Sequence, residues 1–314
     1  MTATLPMTEP LPGLPETVTI YEVGPRDGLQ NEQAVVPAEV KSEFISRLAG
    51  AGLEWIETTS FVHPRWVPQL ADASEVLASL GESGRGHTRP VLVPTERGMD
   101  RALESGVSSI AIFGSATETF ARRNLGRSVE ESSEMFTPVV ARAKDAGMWG
   151  RAYVSMCFGD PWEGPVPIAQ VVEVSRRLMD LGADALSIGD TIGVGTPGHV
   201  AALIEALGAA GVGPEVIGVH FHDTYGQALA NTVEALRHGV TVVDASTGGL
   251  GGCPYAESAT GNLATEDLVW ALQGLGIETG VSLAALIETS VWMAEHLGRP
   301  SPSRVVRALS GQSE

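Results

Sequence analysis

The sequence predicts a single (β/α)8 barrel followed by extra C-terminal helices, and three observations carry that expectation. Short β-branched or aromatic runs alternate with runs of helical period, making eight strand–helix units. Several helices stop at a glycine just before the next strand. Composition stays in one regime from end to end, which argues for one domain.

Taken in order, residues 1–16 are proline-rich and form an N-terminal tail. Strands are expected at Val18–Val23, Trp55–Thr59, Pro90–Pro94, Ser109–Phe113, Arg151–Met156, Ala185–Ile188, Val216–Phe221 and Thr241–Ala245. The first helix is Glu39–Ala51, where Val40, Phe44, Ile45 and Leu48 recur at helical spacing. Leu70–Leu80, Met99–Ser105, Ser128–Ala146, Ile168–Leu181, Pro197–Ala210, Leu229–His238 and Thr265–Leu275 follow. Ala146-Gly147, Leu181-Gly182 and His238-Gly239 supply the glycine on which a helix stops. The barrel is expected to span 17–280. Residues 281–314 form a helical extension, with Leu283–Leu297 as one or two further helices. An open doubly wound sheet is the alternative, but the glycine-rich segments do not follow the first strand in the dinucleotide pattern.

A chain of 314 residues, 43% hydrophobic and 18% charged, can bury a large core. Its net charge of −18 argues against nucleic acid, which needs clustered Lys and Arg. An anionic small ligand stays possible, since a few arginines and helix N-termini suffice to hold one. The two cysteines, Cys157 and Cys253, are too few for a disulfide scaffold and fit a reduced interior. The N-terminus has no basic region ahead of an apolar run, and no stretch is long enough to span a bilayer. The expected compartment is the cytoplasm, without a membrane partner.

Reactive groups in a barrel sit where strands end. The seventh strand ends in Val219-His220-Phe221-His222-Asp223, and alternation points His220 and His222 the same way. Two imidazoles on one face make half of a metal site, although two histidines at a strand end can also simply hydrogen-bond. Strand one runs into Gly24-Pro25-Arg26-Asp27, strand two carries Glu57, and strand six ends in Gly189-Asp190-Thr191. In a closed barrel these strands are neighbours, so their polar groups meet in one sector. Asp27 then faces the histidine pair, and Asn262 can add a carbonyl oxygen. Such a donor set suits Mg²⁺ or Mn²⁺ better than a thiolate zinc site.

Arg26 either pairs with Glu57 or Asp190, or meets an oxyanion that develops during reaction. Gln30 and Thr191 are candidate substrate contacts, and Arg122 and Arg123 are candidate phosphate contacts. Strand eight leads into Gly248–Gly252, too glycine-rich for regular structure, so a mobile loop is expected there. Cys253 on that loop is placed for proton transfer, whereas Cys157 is expected in the core.

These residues resemble those of the 3-hydroxy-3-methylglutaryl-CoA lyases, within a larger group of TIM-barrel metallo-lyases and synthases related to isopropylmalate synthase. The similar stretches are Glu22-Val-Gly-Pro-Arg-Asp-Gly-Leu-Gln-Asn-Glu32, Ile56-Glu-Thr-Thr-Ser-Phe-Val-His-Pro-Arg-Trp-Val-Pro68 and Gly189-Asp-Thr-Ile-Gly-Val-Gly-Thr-Pro197. Val219-His-Phe-His-Asp-Thr-Tyr-Gly-Gln-Ala228, Gly248-Gly-Leu-Gly-Gly-Cys-Pro-Tyr255 and Gly261-Asn-Leu-Ala-Thr-Glu-Asp267 continue the match. The Arg-Asp and His-x-His pieces mark the wider group, while the Gly-Leu-Gly-Gly-Cys-Pro loop is particular to the lyases. The resemblance implies that Asp27, His220, His222 and Asn262 hold a divalent ion, with Arg26 on the enolate and Cys253 at the leaving carbon. It places Glu57 and Asp190 in the same site.

The implied reaction is metal-assisted cleavage of 3-hydroxy-3-methylglutaryl-CoA to acetyl-CoA and acetoacetate, of the leucine-degradation kind. The implied partner is an acyl-CoA, and the expected assembly is a homo-oligomer, a dimer. One departure is Phe158-Gly-Asp-Pro-Trp-Glu163, where relatives often have Gly-Cys-Pro-Tyr. Three other readings stand beside this one: a lyase for another branched 3-hydroxyglutaryl-CoA, a synthase condensing acetyl-CoA with a 2-oxo acid, and a non-catalytic acyl-CoA binder.

Overall fold

A computed structural model describes residues 5–253 and 256–310, with their side chains except at 253 and 256–260. The chain runs β1 (Thr19–Glu22), α1 (Ala38–Gly50), β2 (Trp55–Ile56), β3 (Thr59–Ser60), α2 (Ala73–Leu80), β4 (Val91–Leu92), α3 (Glu96–Glu104) and β5 (Ser109–Ser115). It continues through α4 (Glu118–Leu125), α5 (Val129–Asp145), β6 (Trp149–Ser155), β7 (Gly159–Asp160), β8 (Gly164–Pro165), α6 (Ile168–Asp180), β9 (Ala185–Asp190) and α7 (Pro197–Ala209). Then come β10 (Ile217–Phe221), α8 (Ala228–Arg237), β11 (Val242–Ala245), β12 (Gly252–Cys253), β13 (Ala256–Thr260), α9 (Thr265–Gly274), α10 (Leu283–Leu297) and α11 (Arg304–Ser310).

Nine parallel segments form one curled sheet in the order β2-β1-β11-β10-β9-β6-β5-β4-β3. Parallel neighbours need a crossover between them, and the intervening helices provide it. All eight expected strands are present within a few residues, the second as two short pieces, β2 and β3, that flank Glu57-Thr58. The eight expected helices are present too. Three features go beyond the expectation: α4 and the two hairpins β7–β8 and β12–β13.

Helix α4 is missed because its N-terminal cap comes from elsewhere. The amide of Thr119 donates to Glu163 Oε1 at 2.6 Å, from the β7–β8 hairpin. That hairpin is held by Asp160, which accepts from the Thr117 hydroxyl at 2.6 Å and from the amides of Trp162 and Glu163 at 2.7 and 2.9 Å. The residues that depart from the resemblance therefore build a local brace.

The main core lies between the sheet and its helices, where Phe44, Ile45 and Leu48 of α1 meet Ile20 and Ile56. The inner face differs. Pairing sets Tyr21 opposite Asp244, and Asp244 opposite His220, on one level. Arg151, Tyr153 and Ser187 join them, all buried. Among the described residues, no helix is long and apolar enough to cross a membrane.

Candidate metal centre and active site

β1 ends in a tight π-helical turn, Gly24–Gly28, that presents two consecutive polar side chains. The Val23 carbonyl accepts the amides of Arg26, Asp27 and Gly28 at 3.2, 2.8 and 3.1 Å. Glu22 braces the turn by accepting the Gly24 amide at 2.8 Å. Asp27 thereby reaches the histidines at the end of β10.

Asp27, His220 and His222 each offer a ligand atom, all within 4.8 Å of one another. The two Nε2 atoms lie 3.3 Å apart, and Asp27 Oδ2 is 4.0 Å from His220 Nε2. Burial, and then the neighbouring His220, push His222 down to about 3, so its ring is neutral with a lone pair to give. Burial opposes charge on Asp27, yet Arg26 and His220 hold its carboxyl down to about 2. His222 Nδ1 is buried without a hydrogen-bond partner among the described residues. Two imidazoles, converging on one carboxylate, fit a divalent ion at the hard or borderline end.

Asn262 sits in the same cluster, bridged through its backbone to His222. It turns its nitrogen to the site, donating to Asp27 Oδ2 at 2.8 Å and to the Leu250 carbonyl at 3.1 Å. This corrects the expected orientation: the amide must turn over before its oxygen can serve as a ligand.

Arg26 pairs with Glu57 and not with Asp190. Its Nη1 donates to Asp27 Oδ1 at 2.8 Å and its Nη2 to Glu57 Oε2 at 2.9 Å. Tyr153 also donates to Glu57 Oε2, at 2.7 Å. Arg26 Nε is buried with no partner among the described residues. One donor is thus left over.

Asp190 does not join this group, and strand parity explains why. It is paired with Phe221, one residue off the level of His220, so its side chain takes the opposite face of the sheet. There it accepts the amides of Val194 and Gly195 at 3.0 and 2.9 Å, and burial lifts its carboxyl to about 6. It shapes the loop after β9. Thr191 is also engaged structurally, its hydroxyl oxygen accepting the Met156 amide at 2.8 Å. Gln30 keeps a buried Oε1 without a partner among the described residues.

Arg122 and Arg123 lie exposed on α4. Arg122 approaches Glu118 at 3.6 Å, and the Arg123 guanidinium lies 4.3 Å from the centre of the Trp162 ring. Neither partner belongs to the metal cluster. Cys157 is a core residue as expected, buried, with its thiol donating to the Val154 carbonyl at 3.1 Å.

The segment expected to lack regular structure instead forms a 3₁₀ turn, Thr247–Gly249, leading into β12. Gly248, Gly249 and Gly251 have φ of 70°, 63° and 102°, which only glycine adopts readily. Two buried carboxylates hold the turn. Glu22 accepts the Thr247 amide and hydroxyl, each at 2.8 Å, and both Glu266 oxygens accept the Gly248 amide at 3.0 and 2.9 Å. The side chain of Cys253 lies outside the described residues.

Sequence reasoning missed Glu22, Tyr153, Arg151, Asp244 and Glu266. A signal existed for three of them. Strands of a parallel sheet covered on both faces are normally apolar, so Glu22, Arg151 and Asp244 inside such strands mark a polar interior.

The HMGL-like family model matches residues 17–292. The mitochondrial hydroxymethylglutaryl-CoA lyase of Macaca fascicularis is 48% identical over 301 residues, covering 96% of this chain and 92% of that protein. The crystal structure of hydroxymethylglutaryl-CoA lyase from Pseudomonas aeruginosa superimposes with a TM-score of 0.92 at 43% identity, covering 96% of this chain and 100% of the other. An HMG-CoA lyase from Acinetobacter baumannii, solved with coenzyme A and 3-methylmalate, gives a TM-score of 0.88 at 32% identity over 95% of this chain and 97% of its own. With the family model spanning most of its length and a relative 48% identical over 96% of it, the chain belongs to the HMGL-like family.

Proposed function

We propose that this chain is a metal-dependent carbon–carbon lyase that cleaves 3-hydroxy-3-methylglutaryl-CoA to acetyl-CoA and acetoacetate. The observation that carries the proposal is the convergence of Asp27, His220 and His222 beside a guanidinium with a donor to spare. Family membership and the lyases named among its relatives support it.

Asp27, His220 and His222 would hold the ion, Mg²⁺ or Mn²⁺, with Asn262 joining if its amide turns over. When bound, the ion supplies Lewis acidity toward substrate oxygens. The depressed Asp27 carboxyl suits a ligand better than a base, so a neighbouring group takes the C3 hydroxyl proton. As the C2–C3 bond breaks, its electron pair passes to C2 and the thioester oxygen. Arg26 Nε stands ready to donate to that oxygen, while Glu57 and Tyr153 fix the guanidinium. C3 becomes the ketone of acetoacetate. A proton delivered to C2 completes acetyl-CoA, and Cys253 is the proposed donor; an unchanged kcat in Cys253→Ser would remove it from that role.

Gln30 is proposed as a polar contact to the acyl group, and Arg122 and Arg123 as contacts to the CoA phosphates. Replacing both arginines by Ala should raise KM for the acyl-CoA but not for the phosphate-free acyl-pantetheine. Equal effects on the two would remove this role.

The finer architecture is part of the same proposal: a closed (β/α)8 barrel over 17–280 with 281–314 as a helical extension. The two ends of the sheet, β2 and β3, are separated only by Glu57-Thr58, which supports closure. A crystal structure with an open seam there would overturn it. A homodimer and residence in the cytoplasm complete the proposal, to be checked by sedimentation equilibrium and cell fractionation. A monomer at every concentration, or an organellar fraction, would count against them.

The deciding experiment is mass spectrometry of the products formed with Mn²⁺, from a panel of 3-hydroxyglutaryl-CoA analogues. Acetyl-CoA and acetoacetate from the 3-methyl compound are expected, and chelation should stop their formation. Condensation of acetyl-CoA with a 2-oxo acid would favour the synthase reading instead. His222→Ala should weaken Mn²⁺ binding by about tenfold or more and lower turnover with it, as loss of a ligand must. Unchanged metal content with full activity would exclude this site.

A further inference from the structure

Beneath the metal ligands, the inner face of the sheet holds a buried polar chain that the reaction itself does not use. His220 Nδ1 lies 3.2 Å from Asp244 Oδ2, and Ser187 donates to the same oxygen at 3.0 Å. Arg151 Nη2 donates to Asp244 Oδ1 at 2.6 Å. The side chains of Asp244 and Arg151 are 0% and 1% exposed. The Arg151 guanidinium lies 3.9 Å from the centre of the Tyr21 ring and 5.1 Å from that of Tyr153. Gly218 makes this possible. It precedes His220 by two residues on the same face, and a Cβ there would collide with Arg151 Nη2.

We propose that Asp244 is a positioning residue for the metal site: it fixes His220 as the Nδ1–H tautomer, with the Nε2 lone pair aimed at Asp27 and His222, and Arg151 and Ser187 hold it there. The guanidinium cannot lose its proton, so the carboxylate bonded to it stays ionised and can only accept. The hydrogen between Asp244 and His220 therefore belongs to the imidazole Nδ1. A neutral imidazole carries one such hydrogen, which leaves Nε2 bare. A carboxylate behind a ligating histidine also raises the ligand's basicity and fixes its orientation. The inference rests on the metal reading above.

Asp244→Asn tests it because Arg151 dictates how the amide must sit. The amide oxygen stays with Arg151, so the NH₂ faces His220 and Ser187. His220 Nδ1 must then accept, its proton moves to Nε2, and the ligand nitrogen is blocked. Mn²⁺ titration followed by electron paramagnetic resonance, without substrate, should show Kd weakened by about 10–100-fold. Histidine ¹⁵N spectra of the metal-free protein at alkaline pH should show His220 protonated at Nδ1 in the wild type and at Nε2 in the variant. Gly218→Ala, which pushes the guanidinium off Asp244, should weaken Mn²⁺ binding in the same direction.

A folded Asp244→Asn with Mn²⁺ affinity within about twofold of wild type would overturn the proposal. So would an Nε2–H tautomer of His220 in the wild type, a result that needs no variant to fold. Failure of the wild type to bind Mn²⁺ while showing the Nδ1–H tautomer would instead count against the metal reading and leave the Asp244–His220 contact standing.

Discussion

Arg26→Lys is expected to keep its metal and lose kcat by roughly 10²-fold or more, the size seen when a donor to a developing oxyanion is removed. The guanidinium spans Asp27 and Glu57 with its two terminal nitrogens and still has a buried Nε–H. Lysine is a point charge on a flexible stem. It can satisfy one of the two carboxylates well, but has no planar third donor to offer the thioester oxygen. If the ammonium turned to Asp27, Glu57, which is fully buried, would keep the Tyr153 hydroxyl as its one side-chain hydrogen-bond partner among the described residues.

The kinetic signature separates two roles. An interaction made only as charge develops lowers kcat and kcat/KM together, whereas ordinary binding of a substrate carboxylate raises KM alone. Steady-state kinetics alongside Mn²⁺ titration measures both. A rise in KM with kcat intact would assign Arg26 to substrate binding.

Much of this site is legible in the amino-acid sequence alone. Asp27, His220 and His222 each stand at the end of a strand that alternation and turn residues reveal, and the sheet order sets β1 and β10 on either side of β11. Asp190 shows the limit of that reasoning. Its strand end is placed correctly, but a one-residue difference in pairing decides which face its carboxylate takes.

Helix α4 hides for a different reason, because the group that caps it is 44 residues away in sequence. Asp244 and Arg151 are visible as charges inside strands. That they meet each other and the back of His220 depends on register across several neighbouring strands. No local pattern states that register. The glycine run before Cys253 misleads in a third way. Three of its glycines are there for a positive φ in a defined turn, and the carboxylates gripping that turn come from β1 and α9.

One of those carboxylates should make stability depend on pH in a way a single substitution removes. Glu266 is fully buried, and burial lifts its carboxyl to about 8, with Glu22 and Asp267 adding to the effect and the Gly248 amide opposing it. An unfolded glutamate titrates near 4.3. The folded protein therefore holds the proton over a range of pH in which the unfolded chain has lost it. In that range the unfolded state binds fewer protons, so stability falls as pH rises. The contribution is complete below about 4.3 and lost as pH passes through about 8, for a change on the order of a few kcal/mol. Glu266→Gln keeps an oxygen for the Gly248 amide but has no proton to lose. Relative to wild type, the variant should gain stability steadily across that window and have the higher Tm at pH 9. Asp190 also titrates within the window, but it is present in both proteins and cancels from the difference. Denaturant unfolding of the two proteins at a series of pH values measures it directly. A difference that does not change between pH 5 and pH 9 would mean that Glu266 is ionised in the folded state throughout, held by its own amide and that of Gly248.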